Sequence, residues 1–194
     1  MDGVWRVAAD LPAQGAKYDV RKRGRLVVEV RSHLPLEQSV RALGATWLDR
    51  QLIQGTAEIG DLGFGAEVRA SLRQRIDFLV GQGLAERRAG RVLLRRNLLS
   101  ILTKRELEQM GKTIASETGL AFRSTADGQR IGGQYQRDVQ LASGRYAMLV
   151  AEKGFSLVPW KPVIEKHRGK TIAATVRGSD ASWEIRLQRS LSLS

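Results

Sequence analysis

Cysteine is absent from this 194-residue chain. That removes disulfides, thiolate nucleophiles and cysteine-based zinc sites together, and it is compatible with a reducing compartment. Histidine is nearly absent: His33 and His167 stand far apart, and no pair falls at metal-ligand spacing. Neither a metal nor any other cofactor is therefore expected. Apolar runs stay well short of the ~18 residues that a membrane helix needs. The start, "MDGVWRVAAD", has neither the basic nor the apolar stretch of a signal peptide. The expectation is a cytoplasmic chain without membrane insertion. The Walker pattern G-x-x-x-x-G-K-[ST] is missing; "KHRGKT" shares only its tail and reads as a helix end. Ser143 sits on a turn with no His–Asp pair to activate it. Asp127, Asp138, Glu152, Asp180 and Glu184 are scattered over loops and polar strand faces. No catalytic residue and no small-molecule substrate is expected.

What the chain does have is positive charge. Lys and Arg number 32 against 20 Asp and Glu, a net charge of +12, and 24 of the 32 are arginine. A surface of that kind attracts polyanions, nucleic acid first among them. Apolar residues make up 42% of the chain, enough to bury a core. The length suits one large or two small domains.

Three segments are expected. Residues 1–33 read as the end of a preceding unit and a basic linker. "DGVWRVAADL" is a short strand, "DVRKRGR" a charged connection and "LVVEV" a strand. The echo between "DGVWRVAADL" and "AGRVLLRRNLL" suggests a start inside a larger parent.

Residues 34–119 read as a helical, winged-helix-like domain. "LPLEQSVRALG" has Pro near a helix start and Gly at its end. Thr46 and Asp49 are spaced as a capping box. In "GFGAEVRASLRQRIDFLVGQG", Val68, Leu72, Ile76, Leu79 and Val80 form an apolar stripe, and Arg69, Arg73 and Arg75 fall off it. "LAERRAGRVLLRR" reads as a hairpin around Ala89-Gly90, and residues 97–119 as a further helix. Helices followed by a basic hairpin are the order of a winged helix.

Residues 120–194 read as a small five-stranded β-barrel, OB-like or SH3-like: three strands, a short helix after Pro162, then two strands. Ile131, Tyr135, Val139 and Leu141 are expected on one face, and Gln134, Gln136, Asp138 and Gln140 on the other. Met148, Leu149, Phe155, Leu157 and Val158 are expected in the core, with Trp160 capping it. The fold class is α+β.

From Arg69 to Arg105 ten basic residues face two acids. In a winged helix the third helix can enter a DNA groove while the wing reaches phosphates. The expected DNA-binding residues are Arg69, Arg73, Arg87, Arg88, Arg91, Arg95 and Arg96. Arg145, Trp160 and Lys161 are candidates for contact with a single strand.

"LPLEQSVRALGATWLDRQL", "GFGAEVRASLRQRIDFLVGQGLA" and "LASGRYAMLVAEKGFSLVPWKPVIEKHRGK", closed by "SWE", resemble the C-terminal region of bacterial relaxase/mobilization nucleases from about Trp5 onward. The resemblance implies an accessory part, of unknown function, of proteins that nick DNA for plasmid mobilization. The histidine cluster of their nicking module is not here, and Tyr18, Tyr135 and Tyr146 have no histidine neighbours. No catalytic role is carried over. DNA and other conjugative-transfer proteins are the implied partners. A stand-alone winged-helix regulator and an adaptor for the secretion apparatus are the alternatives.

Overall fold

The computed structural model describes residues 32–55 and 59–185. The strands and linker expected before residue 32 lie outside the described residues. The chain divides into two compact units, Met1–Leu98 and Leu99–Ser194.

The first unit places three helices ahead of a hairpin: α1 (Leu36–Arg41), α2 (Trp47–Gln54), α3 (Phe64–Gly81), then β1 (Ala85–Arg88) and β2 (Arg91–Leu94). α2 opens on the expected capping box, with the Thr46 backbone N–H and hydroxyl both donating to the Asp49 carboxylate, at 2.7 and 2.9 Å. Val68, Leu72 and Leu79 of α3 are buried with Leu48 and Val40, while Ile76 and Val80 are only half-buried. Positions 68, 72, 75 and 79 lie within about 60° of one another on a helical wheel. Arg75 therefore lies on the buried stripe, midway along its length between Leu72 and Leu79.

Arg75 is a correction to the sequence reading, which set it off the stripe among surface cations. Its side chain is 0% exposed. All five guanidinium N–H groups are used. Nε and Nη2 donate to the two Asp49 oxygens at 2.8 Å each, Nη2 also to Gly44 O at 2.9 Å, and Nη1 to Val40 O and Ala42 O at 3.1 and 2.6 Å. A buried charge is tolerable only when paired and fully hydrogen-bonded, and this one is both. It ties α3 to the carbonyls that end α1 and to the first turn of α2.

The second unit is helix α4 (Leu98–Thr118, which starts at the division) followed by an antiparallel sheet. The strands are β3 (Arg130–Leu141), β4 (Gly144–Ala151), β5 (Gly154–Pro159), β6 (Thr171–Arg177) and β7 (Asp180–Glu184), with a 3-10 helix (Pro162–His167) before β6. The order is β5-β4-β3-β6-β7. β3 is long because its two ends serve different neighbours. Arg130–Gln134 pair with β6, and Gln134–Leu141 with β4.

Between Tyr135 and Arg137 the register against β4 slips by one, leaving Gln136 as the extra residue of a β-bulge. A one-residue slip turns every later side chain to the opposite face. Ile131 and Tyr135 thus pack with Leu149, Val158, Ile164 and Ile172 on one face. Val139 and Leu141, expected beside them, pack on the other face with Met148, Phe155 and Ile114 of α4. Asp138 moves with the slip onto the Tyr135 face, opposite Ala147.

The expected five-stranded β-barrel is also corrected: β5 and β7 are the two edges of an open antiparallel sheet, and no ladder joins them. Part of the β5 edge goes instead to the chain just after α4. Phe155 N–H donates to Ala121 O at 2.9 Å, and Arg123 N–H to Phe155 O at 2.8 Å. That close approach requires glycine at 154, where φ is +123° and a Cβ would lie 2.0 Å from Ala121 O. Gly111 of α4 likewise leaves room for the Phe122 ring, which a Cβ would meet at 2.4 Å. Toward the other end only side chains span the seam. Trp183 Nε1 donates to Pro159 O at 3.1 Å, and Lys161 pairs with Asp180 at 2.9 Å. As expected, Met148, Leu149, Phe155, Leu157 and Val158 are all buried.

Candidate nucleic-acid interface

Two groups of cations stand out in the sequence, and each lies within one unit. The first is on α3 and the hairpin. β1 and β2 pair Ala85 with Leu94, Glu86 with Leu93, Arg87 with Val92 and Arg88 with Arg91. The base is anchored by buried Leu84, whose carbonyl accepts from Arg95 N–H at 3.0 Å; Arg95 Nε adds a bond to Gly83 O at 3.1 Å. The turn is Ala89-Gly90, both with positive φ (48° and 75°), as a two-residue I′ turn requires.

Cross-strand partners share a face, so Arg87 and Val92 lie on one side of the ribbon and Arg88, Arg91, Glu86 and Leu93 on the other. Arg87 reaches back to Asp77 of α3 in an exposed ion pair of 2.5 Å. Arg69 is spent on its own loop. It donates to Ile59 O and Gly60 O and pairs with Asp61 at 3.0 Å. Arg73, Arg88, Arg91, Arg95 and Arg96 are exposed and have no carboxylate partner among the described residues.

The second group is Arg145, Lys161 and Arg168 beside Trp160, and each has an internal carboxylate partner. Arg123, Lys153, Lys166, Lys170 and Arg177 of the same unit are exposed with no carboxylate partner among the described residues. Arg145 lies 3.7 Å over the Trp160 ring, donates to Asp138 at 2.9 Å and pairs with Glu165 at 3.3 Å. Asp138 also holds Arg168. The Trp160 indole N–H donates to the buried Tyr135 hydroxyl at 3.1 Å, and the half-buried ring packs on the Tyr135 face. Lys161 is paired with Asp180.

The hydrogen bond from Arg145, helped by the nearby Arg145 and Arg168 charges, holds the Asp138 carboxyl below the usual carboxylate range against the opposing effect of burial. The same bond raises the Arg145 guanidinium. A carboxyl with a lower pKa folded than unfolded stabilises fully above its unfolded value, near 3.9, and loses that contribution as pH falls through the folded value. The stability of this unit should therefore drop on acidification from about pH 4 downward. Asp138→Asn should flatten that acid limb while lowering stability at pH 7. Thermal unfolding at stepped pH checks it, and an identical acid limb in the variant would sink it.

The expectations for the arginine hairpin rested on charge density. That signal does not separate the free cations from Arg69, Arg75 and Arg87, whose partners come from 8 to 35 residues away in sequence. Sequence reasoning also missed Glu106 of α4, whose carboxylate accepts from the Ala142 and Ser143 N–H groups (2.8 and 2.9 Å) and from the Ser143 hydroxyl. It fixes the β3–β4 turn to the helix. Among the described residues no group of three or more His, Asp or Glu side chains is placed to hold a metal, and no helix is long and apolar enough to cross a membrane.

The model of the family described as protein of unknown function (DUF3363) matches residues 1–192, so the chain belongs to that family. Comparisons with curated proteins and with solved structures give no match. The family's description carries no activity, and the likeness to relaxases rests on the motifs quoted above.

Proposed function

We propose that this DUF3363 chain is a DNA-contacting accessory part of relaxase-type mobilization proteins, with the hairpin as its contact surface. The observation that carries the reading is the contrast between the two cation groups. Around Trp160, Arg145, Arg168 and Lys161 are neutralised by Asp138, Glu165 and Asp180, and the remaining cations of that unit are scattered rather than gathered on one ribbon. On the hairpin and its flank, Arg88, Arg91, Arg95 and Arg96 have no carboxylate partner among the described residues. Unneutralised arginine on a protruding ribbon is what phosphate contact requires. The element order, three helices then a ribbon, supports a winged-helix-like reading of the first unit. The second unit has the strand order of an OB-type fold with its seam left unpaired, and in this reading it is a packing unit with Trp160 as a core cap. Strand cleavage is not assigned to this chain.

Replacing Arg87, Arg88, Arg91 and Arg95 by alanine should weaken duplex binding and flatten its dependence on salt. Each lost phosphate contact removes roughly 0.9 from the log–log slope. Titrations at several salt concentrations measure this; an unchanged slope would remove the hairpin from the interface.

A second reading has its own observation. The loop that Arg69 pins presents Leu62, 85% exposed, next to Phe64, 50% exposed. Apolar side chains held outward by a buttressed loop suit a protein partner in the transfer apparatus. Retention of a purified transfer protein by the wild type but not by Leu62→Ser would favour it.

A further inference from the structure

We propose that the hairpin tip reads the minor groove of A·T-rich duplex DNA, with Arg88 and Arg91 as the inserted side chains. This deepens the DNA-contact reading above and rests on it. The tip is as thin as a hairpin end can be. Its two turn residues are Ala89 and Gly90, so no side chain larger than a methyl stands in front of the ribbon. Arg88 and Arg91 face each other directly behind the turn, on the side of the ribbon opposite Arg87. A minor groove is ~6 Å wide, too narrow for a whole ribbon but open to such a tip and two guanidinium groups. In A·T tracts it is narrower still and more negative, which draws arginine in. Arginine suits this better than lysine because its guanidinium is less strongly hydrated. All five basic residues from 87 to 96 are arginine.

Two features at this tip oppose folding. Ala89 is the one non-glycine residue with positive φ among the described residues, a conformation that asparagine or glycine adopts at lower cost. Arg88 and Arg91 are like charges placed opposite each other, which is unfavourable across a strand pair. Both drawbacks become assets beside a polyanion. The slender turn gives access, and the repulsion between the arginines is relieved when phosphates and the groove potential surround them. Local strain concentrated on an exposed tip points to function there.

The test uses the full chain and three duplexes of equal length, made of A·T, G·C or inosine·C pairs, with binding followed by fluorescence anisotropy at fixed salt. Inosine·C shows the groups of G·C in the major groove but lacks the guanine N2 amino group in the minor groove. Minor-groove reading predicts that the A·T and inosine·C duplexes bind alike and the G·C duplex about tenfold more weakly. The double change Arg88→Lys with Arg91→Lys keeps the charge and the ribbon, and should level the three affinities. If inosine·C follows G·C instead, the groove assignment is overturned while DNA contact stands. If none of the three duplexes binds, the DNA-contact reading itself fails. Ala89→Gly, which keeps the thin tip and relaxes the turn, should retain the A·T preference; its loss there would also overturn the proposal.

Discussion

Arg75→Met should destabilise the helical unit by about 3–5 kcal/mol. The change keeps much of the side-chain volume and the aliphatic stem, so the cavity it leaves is small. What it removes is the cation paired with Asp49 inside the unit, and with it the donors to the carbonyls of Val40, Ala42 and Gly44. A buried carboxylate and three carbonyl groups then lose their donors. Each unsatisfied polar group costs about 1–3 kcal/mol, and a charge more. Asp49→Leu should be comparably damaging, because it strands the guanidinium and also removes the acceptor of the α2 capping box. The two changes together should cost less than their sum, since the stranded charge disappears from both sides. Urea denaturation of the full chain, followed by far-ultraviolet circular dichroism, measures all three variants. A loss below about 1 kcal/mol for Arg75→Met would show that the pair is replaceable by apolar packing.

Phe155→Ala should cost the sheet unit about 3–5 kcal/mol. The ring is 1% exposed and packs with Met148, Leu157 and Ile114. It also meets the Phe122 ring at 5.4 Å between centroids, in a tilted arrangement that adds to simple area burial. The same residue's backbone holds the segment after α4 through two hydrogen bonds. Loss of the ring therefore loosens helix, segment and edge strand together. Thermal unfolding by circular dichroism reads the effect, and a drop in stability of less than about 1 kcal/mol would contradict the packing described for this face.

Local chemistry makes much of the fold legible in the amino-acid order alone. Thr46 and Asp49 announce a helix start, Gly83 and Gly119 helix ends, and Ala89-Gly90 a turn, because each acts on its own few residues. The five strands and the 3-10 helix fall in the expected order for the same reason. What stays hidden depends on distant partners. Gln136 has no side-chain property that marks it as a bulge, so strict alternation carries Val139 and Leu141 onto the wrong face. Arg75 looks like any other helical arginine until Asp49 and the α1 carbonyls are brought to it; its position midway along the 68–72–79 stripe is the one available sign. The small β-barrel fails as an expectation because strand order alone does not say whether the two edge strands join. At the candidate site, composition locates the arginines but cannot sort Arg69 and Arg87, which are held by Asp61 and Asp77, from Arg73, Arg88, Arg91, Arg95 and Arg96.

The segment laid along β5 also bears on how molecules of this protein behave toward one another. A sheet edge with vacant N–H and C=O groups can recruit the edge of a second copy, and repetition of that step gives aggregates. Here the Phe155 N–H and C=O are already taken by Ala121 and Arg123, and the Ser156 hydroxyl donates to Arg123 O at 2.9 Å. A neighbouring copy would have to displace this built-in strand mimic before it could add to that edge. Gly154 thus guards solubility as well as folding: a side chain there would push Ala121 away and leave β5 open to templated self-association.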